Sequence, residues 1–216
     1  MKLRYSPLIK QSVRLGEHIN PHKKLSWKQA NKLKNVVNRS KKQSDFGSDL
    51  LEYRRLTSVY GGLTKSSFTK LSKSAFRAPG LSNINLLYKL EARLDTCLYR
   101  LGFANSFGMA KQLVNHKFVQ LNGRTHTVSS YELKPGDIVT LKTRNYSVPA
   151  WIKTNPCPPV NIEVDYAALR FIYLYPAQYV HLTAKIKDIP LASENPLASE
   201  NPTVSDINST NVNVVS

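Results

Sequence analysis

Arginine and lysine supply most of the chemistry this chain can offer. Arg93 and Arg100 stand seven residues apart, a spacing that puts both on one helix face two turns apart, and Lys89 extends the same stripe. A second group, Lys111, Gln112, His116 and Lys117, follows closely, and Arg124 comes directly after the turn signal Asn122-Gly123. Lys41, Lys42, Arg54 and Arg55 add cations earlier in the chain. A guanidinium presents a planar fork of N–H donors that matches two phosphate oxygens, while an ammonium is a point charge. Taken singly, each of these residues reads as the solvated face of a helix. Taken together, with Gln112, His116 and Asn122 among them, they read as a surface for the phosphates of folded RNA.

Other chemistries find little to work with. Cys97 and Cys157 form no CxxC, and no His/Cys group has the spacing of zinc ligands. Cys97 sits in an apolar-periodic stretch and is expected to be a buried thiol. Neither a phosphate-cradling glycine loop nor a nucleophile elbow is present. No cofactor, metal or catalytic residue is implied, and an enzyme is not expected.

The charge balance agrees. The chain carries 31 Lys+Arg against 14 Asp+Glu, a formal net charge of +17. Such an excess repels itself in the compact state and usually answers an external polyanion. No apolar run approaches the roughly 18 residues needed to cross a bilayer, so insertion into a membrane is not expected. The cations lie mostly in the first two-fifths of the chain, which suggests a phosphate-neutralising arm or domain.

These residues need elements to hold them. Residues 1–44 are basic and polar without a sustained apolar period, and read as a disordered basic extension able to order on RNA. Residues 45–89 read as a helical domain. In it one helix carries Leu50, Leu51, Leu56 and Val59, with Asp49 as its expected cap, and stops at Gly61-Gly62. A second spans Ser66 to Phe76, with Phe68, Leu71 and Phe76 inward and Lys65, Lys70 and Lys73 outward. Residues 83–103 predict one continuous helix with the stripe Leu86, Leu87, Leu90, Leu94, Cys97, Leu98 and Leu101, ended by Gly102. Another covers Ser106 to His116, with Ser106 as cap. The period then becomes that of strands: Phe118–Leu121, the Asn122-Gly123 hairpin, a return through Arg124 to Val128, the turn Lys134-Pro135-Gly136-Asp137, and strand Ile138–Leu141. Strand-like text recurs at Asn161–Asp165 and Leu169–Tyr175. Residues 182–216 contain the repeated segment Pro190–Asn195/Pro196–Asn201 and read as a disordered low-complexity tail.

The order and spacing of several segments resemble a known family. Leu90-Glu91-Ala92-Arg93-Leu94-Asp95, Tyr99-Arg100-Leu101-Gly102-Phe103, Ala110 to Lys117, Leu121-Asn122-Gly123-Arg124 and Pro135-Gly136-Asp137 look like the RNA-binding module of the ribosomal small-subunit protein S-four family. Gln43 to Gly47, Leu50, Glu52, Tyr60-Gly61, Leu63 and Phe68 resemble the helical domain that precedes it there. Trp151 and Glu163-Val164-Asp165 resemble the stretch that follows. The likeness covers roughly residues 43–166. It implies an α+β chain: a basic arm and helical domain, then, over residues 90–181, a module of two helices packed on a small antiparallel sheet with a further β segment. It also implies direct binding to the 5′ domain of small-subunit rRNA, nucleation of assembly, neighbouring ribosomal proteins as partners, and a place near the channel through which mRNA enters.

Some positions depart from the family pattern. Phe107 stands where the family usually has Arg, Lys111 replaces another Arg, and the Arg54-Arg55 pair is offset by a few residues. The N-terminal cysteines of some relatives are missing. This drift, with many Asn, Lys, Tyr and Ser residues, fits an organellar and in the first place mitochondrial member better than a plastid or bacterial one. The start, which lacks a typical presequence, fits an organelle-encoded chain.

Two rival functions use the same module. Arg93-Leu94-Asp95 imitates the tripeptide around the catalytic Asp of pseudouridine synthases, but Asp95 lies in a periodic helix where that chemistry needs an exposed loop. A stand-alone RNA-binding protein would need little beyond the module, whereas this chain adds a basic helical domain. On the ribosomal reading, Arg93→Ala and Arg100→Ala are each expected to weaken rRNA binding by about 1 kcal/mol or more.

Overall fold

The structure, a computed structural model, describes residues 8–19, 25–37, 44–142 and 158–177. Lys41, Lys42, Trp151, Cys157 and the low-complexity tail lie outside the described residues. The described residues divide into two compact units, one up to Lys73 and one from Ser74 onward.

In the first unit, the stretch expected to be a disordered arm contains two helices, α1 (Leu8–Leu15) and α2 (Trp27–Val37). The expectation is corrected there. Ser12, Leu15 and Ile19 are buried, and the Ser12 hydroxyl accepts a hydrogen bond from the Ile19 amide at 3.4 Å. α1 is amphipathic but too short to be stable alone; packing against α2 and against α3 (Asp45–Val59) buries its apolar side. α3 also starts a turn earlier than expected. Its cap is Ser44, whose hydroxyl accepts from the Gly47 amide at 3.3 Å, and Asp49 lies inside the helix. Leu56 and Val59 are buried as expected. In α4 (Lys65–Phe76), Lys65, Lys70 and Lys73 face outward, Phe68 and Leu71 inward, and Phe76 is only half-buried. Phe68 meets Tyr53 of α3 edge-on, ring centroids 5.0 Å apart.

In the second unit the expected single helix over 83–103 is two: α5 (Ser82–Glu91) and α6 (Leu94–Arg100). Arg93 sits in the break with extended backbone (φ −68°, ψ 140°). The segment 129–133 takes up the backbone there. Leu133 donates to the Ala92 carbonyl at 2.7 Å, Leu94 to Tyr131 at 2.9 Å, and Asp95 to Ser129 at 3.1 Å. The apolar stripe runs through the break unchanged in register, so periodicity alone gives no sign of it. α6 ends as anticipated at Gly102, whose φ of 71° places it in the left-handed region that glycine reaches without penalty. α7 (Phe107–Asn115) begins where expected, with the Ser106 hydroxyl accepting from the Met109 amide at 3.2 Å.

The sheet is antiparallel throughout, in the order β2-β1-β3-β5-β4. Its strands are β1 (Val119–Leu121), β2 (Arg124–Thr125), β3 (Ile138–Leu141), β4 (Ile162–Asp165) and β5 (Arg170–Tyr173). β2 is shorter than the return expected through Val128, because after His126 the chain leaves the ladder to pair with the α5–α6 break. Asn122 (φ 49°) and Gly123 (φ 79°) form the β1–β2 turn, with both residues at the positive φ that a tight twisted hairpin requires.

One core joins helices and sheet. Leu94, Leu98, Leu101, Phe103, Ala110 and Val114 from the helical side pack with Val119, Val139, Phe171 and Tyr173 from the inner face of the sheet. Phe103 stacks near Phe171, centroids 6.1 Å apart. The chain is therefore α+β, with helices on one face of a small antiparallel sheet. No helix among the described residues is long and apolar enough to cross a membrane.

Candidate RNA interface

The folded chain sorts the sequence-derived cations into two groups. The first is turned inward to acids. Arg93 is 5% exposed, and its guanidinium forks onto Asp95, with Nε 3.0 Å from one carboxylate oxygen and Nη2 2.9 Å from the other. Arg100 forks in the same way onto Glu91, at 3.2 and 2.7 Å. Lys89 reaches Glu132 at 3.4 Å. Arg55 lies between Glu52 at 2.8 Å and Glu17 at 3.4 Å.

The shared phosphate-binding face expected for Arg93 and Arg100 is thus corrected. The two residues belong to different segments, one at a helix break and the other at a helix end, and each fork is already occupied by a carboxylate. Alanine at either position is now expected to show first as lost stability. Asn122 is likewise engaged internally. Its side-chain amide donates to Asp137 at 2.9 Å, and its oxygen accepts from the Ile138 amide at 2.9 Å. Asp137 in turn accepts from the Lys134 amide at 2.8 Å, so Asn122 ties the hairpin turn to the Pro-Gly-Asp turn. Asn122→Ala loses both bonds and leaves alanine in the left-handed region. A destabilisation of about 2 kcal/mol is expected in urea unfolding, and Asn122→Gly should cost less.

The second group faces solvent. Gln112, His116 and Lys117 are exposed along and just after α7, Arg124 is exposed at the start of β2, and Arg54 is exposed on α3. Lys111 is half-buried on α7. Burial holds its ammonium below the ordinary lysine range, Asp95 opposes that shift, and Arg93 adds to it. Among the exposed cations that the sequence did not single out are Lys134, in the turn before β3, and Lys142, just after β3. The Lys142 amide donates to the Phe118 carbonyl at 2.7 Å, which brings Lys142 beside Lys117 at the start of β1. Register could have revealed it, since Leu141 pairs with Val119. Among the described residues no carboxylate lies within ion-pair distance of Lys117, Arg124, Lys134 or Lys142.

The hairpin that carries Arg124 is shaped as well as charged. Leu121, Asn122, Arg124, Thr125 and His126 line an open groove of about 580 Å³ at the hairpin. The His126 ring stands edge-on to Tyr131, centroids 4.8 Å apart. At the other end of the stretch, Phe107 stacks on Tyr99 at 4.3 Å, so an aromatic contact occupies the start of α7. Charge-assisted donors spread over a helix, a hairpin and two turns can follow a phosphodiester backbone without reading bases.

Cys97 takes no part in this surface. It is buried, donates to the Glu91 carbonyl at 3.3 Å, and its thiol is pushed up by burial first and by Glu91 and Asp95 next, with Arg100 opposing. In a Cys157→Ser variant, Cys97 is expected to resist a disulfide reagent at pH 8 until denaturant unfolds the unit. Rapid labelling of the native chain would contradict the described burial.

Comparison with known proteins gives the family. The S4 domain family matches residues 92–139, from the α5–α6 break through the first residues of β3. A small ribosomal subunit protein uS4 of Hyphomonas neptunium is 34% identical over 182 residues, covering 80% of this chain and 87% of the relative. Another, of Paramagnetospirillum magneticum, is 32% identical over 158 residues, covering 71% of this chain and 74% of the relative. A third, of Chromohalobacter salexigens, is 42% identical over a shorter span, 49% of this chain and 51% of the relative. With similarity of this degree along most of its length, and the domain match falling on the stretch that carries the exposed cations, the chain belongs to the small ribosomal subunit protein uS4 family.

Proposed function

We propose that this protein is a structural constituent of the small ribosomal subunit that binds small-subunit rRNA directly. The observation that carries the reading is the row of exposed cations with no acidic partner among the described residues, Lys117, Arg124, Lys134 and Lys142, within and just beyond the S4 domain. Lys111, Gln112 and His116 extend this surface along α7, and Arg54 offers a further contact from α3. Arg93, Arg100 and Asn122 act on RNA indirectly, by holding the helix break and the hairpin in place. Lys41 and Lys42 remain proposed contacts of the basic N-terminal part.

Within that reading, the rRNA target is the 5′ domain, the protein nucleates assembly, and it lies beside neighbouring ribosomal proteins near the channel through which mRNA enters. The composition and the departures at Phe107 and Lys111 favour an organellar ribosome, the mitochondrial one first; the relatives named above are bacterial. No chemistry is assigned to Asp95, which is fully buried and held by Arg93. Sucrose-gradient fractionation of native extract followed by protein–RNA crosslinking tests the proposal. Comigration with small subunits and crosslinks in the 5′ domain are expected. A peak in soluble fractions with crosslinks scattered over many RNAs would point instead to a stand-alone RNA-binding protein.

A further inference from the structure

A second feature of the surface lies far in sequence from the S4 domain. Trp27, the first residue of α2, is 77% exposed, a costly position for the largest apolar side chain unless something covers it. It does not sit on a fraying end. The Gln29 side chain accepts from the Ser26 amide at 3.0 Å, and the Ser26 carbonyl accepts from both Gln29 and Ala30 at 2.9 Å, so the first turn is fastened around it. The helix, Trp-Lys-Gln-Ala-Asn-Lys-Leu-Lys-Asn-Val-Val, contains three lysines and no acid. Lys28, Lys32, Lys34 and Asn35 are exposed, while Gln29, Ala30 and Leu33 are the half-buried side. Lys34 stands on Trp27's face two turns on, roughly 10 Å along the axis, and Lys28 and Lys32 pair one turn apart on the adjoining face.

We infer that α2 is a binding site for a single-stranded RNA segment, with Trp27 stacking on an unpaired base and Lys28, Lys32 and Lys34 neutralising the flanking phosphates. An indole on a purely cationic helix matches a ligand that has both a flat π-face and a chain of negative charges. An apolar protein partner would leave the three ammonium groups uncompensated, and a paired helix would hide the faces of its bases. The inference rests on the ribosomal reading above and adds to it a site of different ligand preference.

The test uses the full chain carrying Trp151→Phe, so that Trp27 is the sole indole. Oligouridylate or oligoadenylate 12-mers are expected to quench its fluorescence saturably. A blunt RNA duplex of equal charge and poly-glutamate should quench it much less. Read by the anisotropy of a labelled 12-mer, Trp27→Ala is expected to weaken binding about fivefold or more, with an unchanged salt slope because no charge is lost, and Trp27→Phe should keep most of the affinity. Changing Lys28, Lys32 and Lys34 together to Gln should flatten the slope of log affinity against log salt by about 2. Equal quenching by poly-glutamate, no quenching by the 12-mers, or unchanged affinity in Trp27→Ala overturns the site. Binding of the same chain to small-subunit rRNA separates the two failures. If rRNA binds while Trp27 stays silent, the site alone is wrong; if rRNA does not bind, the ribosomal reading falls and the site with it.

Discussion

Asp95→Ala is expected to destabilise the second unit by about 3–5 kcal/mol, the largest effect of any single substitution outside the apolar core. The Asp95 and Arg93 side chains are 1% and 6% exposed, and the carboxylate receives both arms of the fork. Removing it leaves a guanidinium buried without a counter-ion, in a break whose backbone is already committed to the 129–133 segment. The penalty belongs to the orphaned charge, not to the worth of the pair. Accordingly Asp95→Asn, which keeps an acceptor, should cost less, and Arg93→Met with Asp95→Leu should recover much of the loss. Urea unfolding with comparable m-values reads all three. A loss under 1 kcal/mol for Asp95→Ala would mean the pair is solvated and the break is held by other contacts. Under conditions where the variant stays folded, its rRNA affinity should be near that of the parent, because both side chains are buried.

Changing Lys117, Arg124 and Lys142 together to Gln is expected to do the reverse. Stability should hardly move, since these side chains are exposed and take part in no ion pair among the described residues. If each cation makes the proposed charge-assisted contact, affinity for small-subunit rRNA at low salt should fall by about 3 kcal/mol or more, over a hundredfold. The slope of log affinity against log salt should become shallower by roughly 2–3, one step for each phosphate no longer neutralised. Lys89→Gln is the contrasting control, because its ammonium is shared with Glu132 and releases fewer counter-ions on binding. An unchanged slope in the triple variant would remove this surface from the RNA interface.

Much of the architecture can be read along the chain. Ser106 as a cap, Gly102 as a helix stop, Asn122-Gly123 as a tight turn, and strands at 119–121, 138–141, 162–165 and 170–173 all follow from short-range rules, and each lies where those rules place it. The exposure of Gln112 follows from the same periodicity, since Ala110, Leu113 and Val114 define the inward side of α7. Net charge and its asymmetry are properties of composition and need no fold.

What lay beyond sequence rules depended on partners distant in the chain. The break at Arg93 leaves the apolar stripe intact and exists because residues 129–133 offer the backbone a better set of hydrogen bonds than another helical turn. α1 has an amphipathic spacing of its own but spans only about two turns, so it holds as a helix only against its neighbours. The ion pairs decide most for function. A guanidinium has the same spacing and propensity whether it faces a phosphate or a carboxylate, and only folding brings Asp95 to Arg93 and Glu91 to Arg100, withdrawing two arginines from solvent while β3 delivers Lys142 to Lys117. Periodicity is a local property and charge a sum over the chain, but which charges remain unsatisfied is set by contacts between remote segments.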